Sequence, residues 1–199
     1  MKLYRTCAPK TANIEHFLNE PEEIQAIQSI MPSVEMIDEV FSRGPSIDSS
    51  SRFCPVNFSP IPLYASEDSK TTFFEYCFHI LKNRNFLSGS RPINAVLYSL
   101  LLTGKPRIKD ISKREPSGVM SKSSYKTAHK FIKGLKPFPD LIKYRSVRDI
   151  DGNKNYAIYF KKFITEGGTG PQKIIINPKN KKSVEVTIDK VTYEIGPNF

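Results

Sequence analysis

The sequence predicts an α+β fold, and three observations carry that reading. Residues 142–147 are rich in β-branched and aromatic side chains, and alternation runs through Val184, Val186 and Ile188 and again through Val191, Tyr193 and Ile195. Residues 125–135 have helical spacing instead, with Ala128, Phe131, Ile132 and Leu135 on one side and lysines on the other. Asp151-Gly152-Asn153 has the composition of a hairpin turn, so the strands around it are expected to be antiparallel. A chain of 199 residues suits one domain.

Taken in order, the chain opens with a short strand, Leu3-Tyr4-Arg5, which buries Leu3 and Tyr4 and sets a cation beside them. Residues 19–43 are helical in pattern. Pro21 suits a first helical position, Glu22 and Glu23 suit the positive end of a helix dipole, and Ile24, Ile27 and Met31 share a face. Pro32 divides this helix from a second, with Val34, Ile37, Val40 and Phe41 inward. A polar linker follows at 46–51. Pro60 and Pro62 then make residues 56–62 an irregular lead-in to an edge strand that ends at Tyr64.

Residues 71–82 form a helix, with Phe73, Phe74, Cys77, Phe78 and Leu81 around much of its circumference. Residues 94–103 are strongly apolar, and periodicity alone leaves a buried strand and a short helix both open. Strands are expected at 142–147, 156–160, 173–176 and 184–195. Gly167, Gly168 and Gly170 interrupt the last group.

Composition bounds the function. Hydrophobic residues are 39% and charged residues 25%, as in a globular protein. No window approaches eighteen consecutive apolar residues and the N-terminus lacks an apolar signal core, so the chain reads as soluble and made in the cytoplasm. Three cysteines without a CxxC pair argue against a disulfide framework and a zinc knuckle. The net charge of +10 points to an anionic partner or to a solvated lysine surface, and its lysines spread over 122–136, 161–162 and 179–182. The three histidines lack metal-ligand spacing, and neither a phosphate-loop motif nor a GxSxG elbow occurs.

Glu75 is the anomaly. A carboxylate among Phe73, Phe74, Tyr76, Cys77 and Phe78 needs a partner or a task. Arg5, Arg52, Tyr64 and Ser146 are further polar groups within or beside apolar elements. Together they have the makings of one pocket: cations for a phosphate, an aromatic ring for stacking, a carboxylate for developing positive charge, and a hydroxyl.

In that order these residues resemble the RES-domain family, named for an arginine, a glutamate and a serine. Leu3-Tyr4-Arg5 is similar to its N-terminal tyrosine–arginine segment. Ser51-Arg52-Phe53-Cys54-Pro55 is similar to its Gly-Arg-Trp/Phe-Asn-Pro motif. Leu63-Tyr64-Ala65-Ser66, running on to Phe74-Glu75, resembles its Leu-Tyr-Leu-Ala segment and Ala-Leu-x-Glu helix. Tyr144-Arg145-Ser146-Val147 and Asn155-Tyr156-Ala157 resemble its Pro-Ser-x and Asn-Tyr-x-Leu strands. The likeness covers roughly residues 1–162. Ser51, Cys54 and Arg145 stand where the family has glycine, asparagine and proline.

The resemblance implies an ADP-ribosyltransferase-like split antiparallel β-core with flanking helices. Residues 1–170 would be the NAD-cleaving domain, with 11–50 a helical insertion and 171–199 a C-terminal β extension of the same domain. It implies a toxin that depletes NAD+ by hydrolysis or phosphorolysis of the nicotinamide–ribose bond, without a metal. Such toxins are commonly held by an antitoxin or immunity protein, and act in the cytoplasm of the producing cell or of a cell that receives them. Glu75, Arg5 and Ser146 would be catalytic, and Tyr4, Arg52 and Tyr64 would contact NAD+. Transfer of ADP-ribose to a macromolecule is one alternative. A basic nucleic-acid-binding module is the other, and missing RNP, helix-turn-helix and zinc-finger signatures count against it.

Overall fold

The structure is a computed structural model, which describes residues 1–7, 37–38, 41, 51–83, 92–148, 151–167, 172–180, 183–188 and 191–195. Most of the helical region expected at 19–43, the linker at 46–50 and Gly168 and Gly170 lie outside the described residues. Ile37, Asp38 and Phe41 are helical, with Ile37 in the core and Phe41 packed against it, as their spacing suggests.

The first half of the fold contains β1 (Lys2–Cys7), β2 (Leu63–Ser66), α1 (Ser69–Asn83), β3 (Ile93–Leu102) and β4 (Ile108–Asp110). The second contains α2 (Lys126–Gly134), β5 (Leu141–Arg145), β6 (Lys154–Ile158), a single 3-10 turn, β7 (Ile164–Glu166), β8 (Gln172–Asn180), β9 (Ser183–Ile188) and β10 (Val191–Ile195). Among the described residues the strands form one ten-stranded sheet in the order β10-β9-β8-β3-β1-β2-β6-β5-β4, with β7 pairing β3. The α+β class is therefore observed. Among the described strands every pairing is antiparallel except β4 with β5, a parallel pair at the sheet edge, so the sheet is mostly antiparallel. Among the described residues no helix is long and apolar enough to cross a membrane.

β3 is the hub. It pairs β1 on one edge and both β8 and β7 on the other. Residues 95–100 are all buried. A run hidden on both faces needs no alternation, which is why periodicity left it ambiguous.

Near the centre the sheet changes character. β1 matches β3 over six residue pairs but meets β2 at one pair, Tyr4 with Ser66. The ladder therefore opens between β1 and β2. The Arg5 guanidinium bridges the opening, with Nη1 donating to the Tyr64 carbonyl at 2.7 Å. β2 itself is interior, between β1 and β6, and not the edge strand expected. Pro60 and Pro62 precede Leu63, so the amides of 63–66 are free to pair on both sides. The edges are β4 and β10.

α1 is set by its first turn. The Asp68 carboxylate accepts from the Thr71 amide at 3.1 Å, which places Asp68 at the N-cap. Phe73 and Cys77, four residues apart, are buried at 2% and 0% exposure among Ile174, Ile176, Val184 and Val186 of β8 and β9. The C-terminal strands thus extend the same sheet and support the face of α1 opposite Glu75. Gly167 lies against β3, where an added Cβ would meet Ser99 Oγ at 2.5 Å. Close packing accounts for that glycine.

Asp68→Ala is expected to destabilise the fold by about 1 kcal/mol through loss of the cap. A denaturant melt read by far-UV circular dichroism checks this, with a lowered midpoint and unchanged slope.

Candidate active site

A cavity of about 250 Å³ lies where β1 and β2 part. β1 supplies Arg5 and Thr6, β2 supplies Tyr64, Ala65 and Ser66, and α1 supplies Thr72, Glu75, Tyr76, Phe78 and His79. Ser51, Arg52, Tyr125, Tyr144, Arg148 and Asn155 complete the wall. Glu75 is the one acidic side chain among the described residues that line it, against the guanidinium groups of Arg5, Arg52 and Arg148.

Glu75 leaves the Phe73/Cys77 face, as a two-residue step on a helix requires. Its Oε1 accepts from Ser146 Oγ at 2.8 Å and from Asn155 Nδ2 at 2.9 Å. Both bonds fall on one oxygen, so Oε2 is the oxygen left to a ligand. Ser66 Oγ donates to Asn155 Oδ1, which fixes the amide with its NH₂ toward Glu75. Burial pushes the Glu75 carboxyl above the ordinary value of 4.5, while Ser146, Arg148, Arg52 and Asn155 pull it back without cancelling the rise. Facing the cavity, the side chain is half-buried by surface. The protein packed around it still makes desolvation the largest effect.

The two cations nearest Glu75 share an anchor. Arg52 is 7% exposed, and its Nη1 donates to the Val119 and Ser121 carbonyls at 3.1 and 2.9 Å. The Arg52 guanidinium also lies over the Tyr125 ring, 5.0 Å from its centroid. Arg148, equally buried, stacks on Phe78 at 3.4 Å and reaches the Lys122 carbonyl at 3.5 Å. Segment 119–122 therefore positions both. Desolvation lowers the Arg148 pKa and the charge of Glu75 raises it. An arginine remains charged under any such shift in water near neutrality.

Tyr64 does two things. Its ring lines the cavity. Its hydroxyl receives the Phe53 amide at 3.0 Å and bonds Ser51 Oγ at 2.8 Å, which pins the turn that presents Arg52. His129 Nε2 to the Ser51 carbonyl, at 2.9 Å, and Tyr159 Oη to the Phe53 carbonyl, at 2.9 Å, hold the same turn. Burial pushes the Tyr64 phenol well up, so it stays protonated.

Of the six residues named from sequence, Glu75, Arg5, Arg52 and Tyr64 line this cavity. Ser146 touches it only through Glu75. It is 5% exposed, lies behind the carboxylate and accepts from the Arg148 amide at 3.2 Å. Its hydroxyl thus donates to the Glu75 carboxylate that faces the cavity. Tyr4 belongs elsewhere. It packs against the Phe73/Cys77 cluster, with Lys2 Nζ 5.3 Å from its ring centroid. Thr6, on the same strand face, does line the cavity, so it is position along β1 that sets Tyr4 apart.

Asn155, Arg148, Tyr125 and Tyr144 were not singled out as site residues. Asn155 was visible only as part of a strand motif, while Arg148 and Tyr144 stand two residues either side of Ser146. Among the described residues no group of His, Cys, Asp or Glu is placed to hold a metal.

The family model for the RES domain matches residues 34–169. The chain belongs to the RES-domain family. Of the cavity wall, the RES match spans everything except Arg5 and Thr6 of β1. The geometry connects those two to the rest. β8, β9 and β10 follow the matched stretch. No curated protein matches this chain.

The sign of the Glu75 shift gives a stability test. A raised pKa means that the folded protein binds this proton more tightly than the unfolded chain. Stability is therefore lost as pH rises from the ordinary glutamate value through the raised one, and the loss persists above it. Glu75→Gln keeps an acceptor for Ser146 and Asn155 and removes the charge. Its melting temperature is expected to equal or exceed that of the wild type at pH 7.5, with the advantage vanishing near pH 4. Thermal melts across that range check it.

Proposed function

We propose that this protein is a toxin that depletes NAD+ by cleaving its nicotinamide–ribose bond, with water or inorganic phosphate as acceptor. The observation that carries the reading is Glu75. Among the described residues that line the cavity it is the one carboxylate, held by two neutral donors beside three guanidinium groups and several tyrosines.

Cleavage sends the electron pair of the glycosidic bond to the nicotinamide nitrogen, so nicotinamide leaves neutral. The positive charge passes to the ribose as an oxocarbenium ion. A fixed carboxylate in a site of low polarity stabilises that cation far better than one in water. Water then adds and loses a proton to give ADP-ribose, or a phosphate oxygen adds to give the ribosyl phosphate. Ser146 and Asn155 hold Glu75 in one orientation, which saves reorganisation during the reaction.

Arg5, Arg52 and Arg148 suit the pyrophosphate or an attacking phosphate, since a planar guanidinium pairs with both oxygens of such groups. The Tyr64 ring suits the face of nicotinamide. A volume near 250 Å³ fits the nicotinamide–ribose end and leaves the rest of the dinucleotide along the rim. The opening between β1 and β2 supports an ADP-ribosyltransferase-like β-core. The charge of +10 favours an acidic antitoxin or immunity protein as partner, and the cytoplasm is where the substrate is found.

Incubation of NAD+ with the purified protein, with and without phosphate, tests this by product analysis. Nicotinamide is expected in both arms, with ADP-ribose or its phosphate naming the acceptor. Label found on a macromolecule would instead identify a transferase. Glu75→Gln is expected to lose at least about 10²-fold in kcat. The rate is expected to fall as pH drops through the raised Glu75 pKa, so its acid limb lies above 4.5. Intact NAD+ after incubation with folded wild-type protein would refute the proposal.

A further inference from the structure

One hydroxyl on the cavity wall has no task within the fold. Tyr144 stands near the end of β5 with its ring edge-on to Phe53, the centroids 4.9 Å apart. It is 6% exposed, and it lines the cavity. Two other tyrosines nearby, Tyr64 partly buried and Tyr159 buried, use their hydroxyls structurally: Tyr64 on Ser51 and Phe53, and Tyr159 on the Phe53 carbonyl. No hydrogen bond reaches the Tyr144 hydroxyl among the described residues. A phenylalanine would make the same ring contacts without presenting a hydroxyl to the cavity.

The surroundings say what kind of group would satisfy it. Glu75, Tyr64, Arg52 and Tyr125 are charged and polar neighbours within electrostatic reach. Burial and the charge of Glu75 hold the phenol well above its usual pKa of 10, so it offers a proton at any working pH. Oε2 of Glu75, when ionised, only accepts. A donor beside an acceptor fits a ligand with two adjacent hydroxyls, one of each role.

We propose that Tyr144 contacts the substrate, donating to one hydroxyl of the nicotinamide-bearing ribose while Glu75 accepts from the hydroxyl next to it. This deepens the NAD+ reading and rests on it. The pair would hold the sugar by both vicinal oxygens, with its anomeric carbon beside the carboxylate. It would also select a ribose over a deoxyribose.

Tyr144→Phe tests this, because it keeps the ring against Phe53 and removes one oxygen. The kcat/KM values of wild type and variant are compared on NAD+ and on two analogues lacking the 2′ or the 3′ hydroxyl of the nicotinamide ribose. The ratio of the two proteins on each substrate cancels the analogue's own reactivity. On NAD+ the variant is expected to lose about tenfold. On one of the two analogues the ratio is expected to return to about one, since the hydrogen bond is already gone. The melting temperature should be unchanged or higher. Equal activity on NAD+, or the same loss on all three substrates, would overturn the proposal. A folded wild-type protein that leaves NAD+ intact would overturn the NAD+ reading and this inference with it, before any variant is compared.

Discussion

The burial of one carboxylate organises this protein. Removing a charge from water costs several kcal/mol unless partners make up the difference. Glu75 meets that cost with two hydrogen bonds to Oε1 and with the charges of Arg148 and Arg52, yet burial still dominates its titration. Each partner is itself held. Ser66 orients Asn155, and the Arg148 amide fixes the Ser146 hydroxyl. Carbonyls of Val119, Ser121 and Lys122 hold the two arginines. Little of this network would be needed if residue 75 were apolar. A site that keeps a charge under such conditions trades stability for chemistry.

The second constraint is the gap in the sheet. β1 is fully paired with β3 and almost unpaired with β2, so the cavity opens through the middle of the fold and not at its surface edge. Arg5 both braces the gap, through the Tyr64 carbonyl, and lines the cavity. The same economy recurs at Tyr64, whose hydroxyl holds the Arg52 turn while its ring forms the wall. Substitutions at either residue will mix structural and functional effects. Tyr144, where ring and hydroxyl separate cleanly, is the more informative position.

Much of this was legible in the residues. Strand and helix signals located α1, α2 and most strands to within a few residues, because each has a face to bury. β3 was ambiguous because both of its faces are buried, and β2 was misjudged because prolines next to a strand look like prolines in one. Glu75 stood out by local contrast, an acid in a run of aromatics. Arg148 and Asn155 had no such contrast, and only their tertiary proximity to Glu75 gives them meaning. Tyr4, adjacent to Arg5 in sequence, packs against the Phe73/Cys77 cluster and does not line the cavity. Ser146 is buried beside Glu75 and outside the lining of the cavity, and sequence carries no measure of depth.

The central claim is that the cavity holds Glu75 in a charged state that the fold resists. Its titration by carboxyl carbon NMR, assigned by difference from Glu75→Gln, measures this directly. A midpoint clearly above the ordinary glutamate value of 4.5 is the predicted result. A midpoint at or below that value would mean that Glu75 is solvated or fully compensated, and would contradict the account.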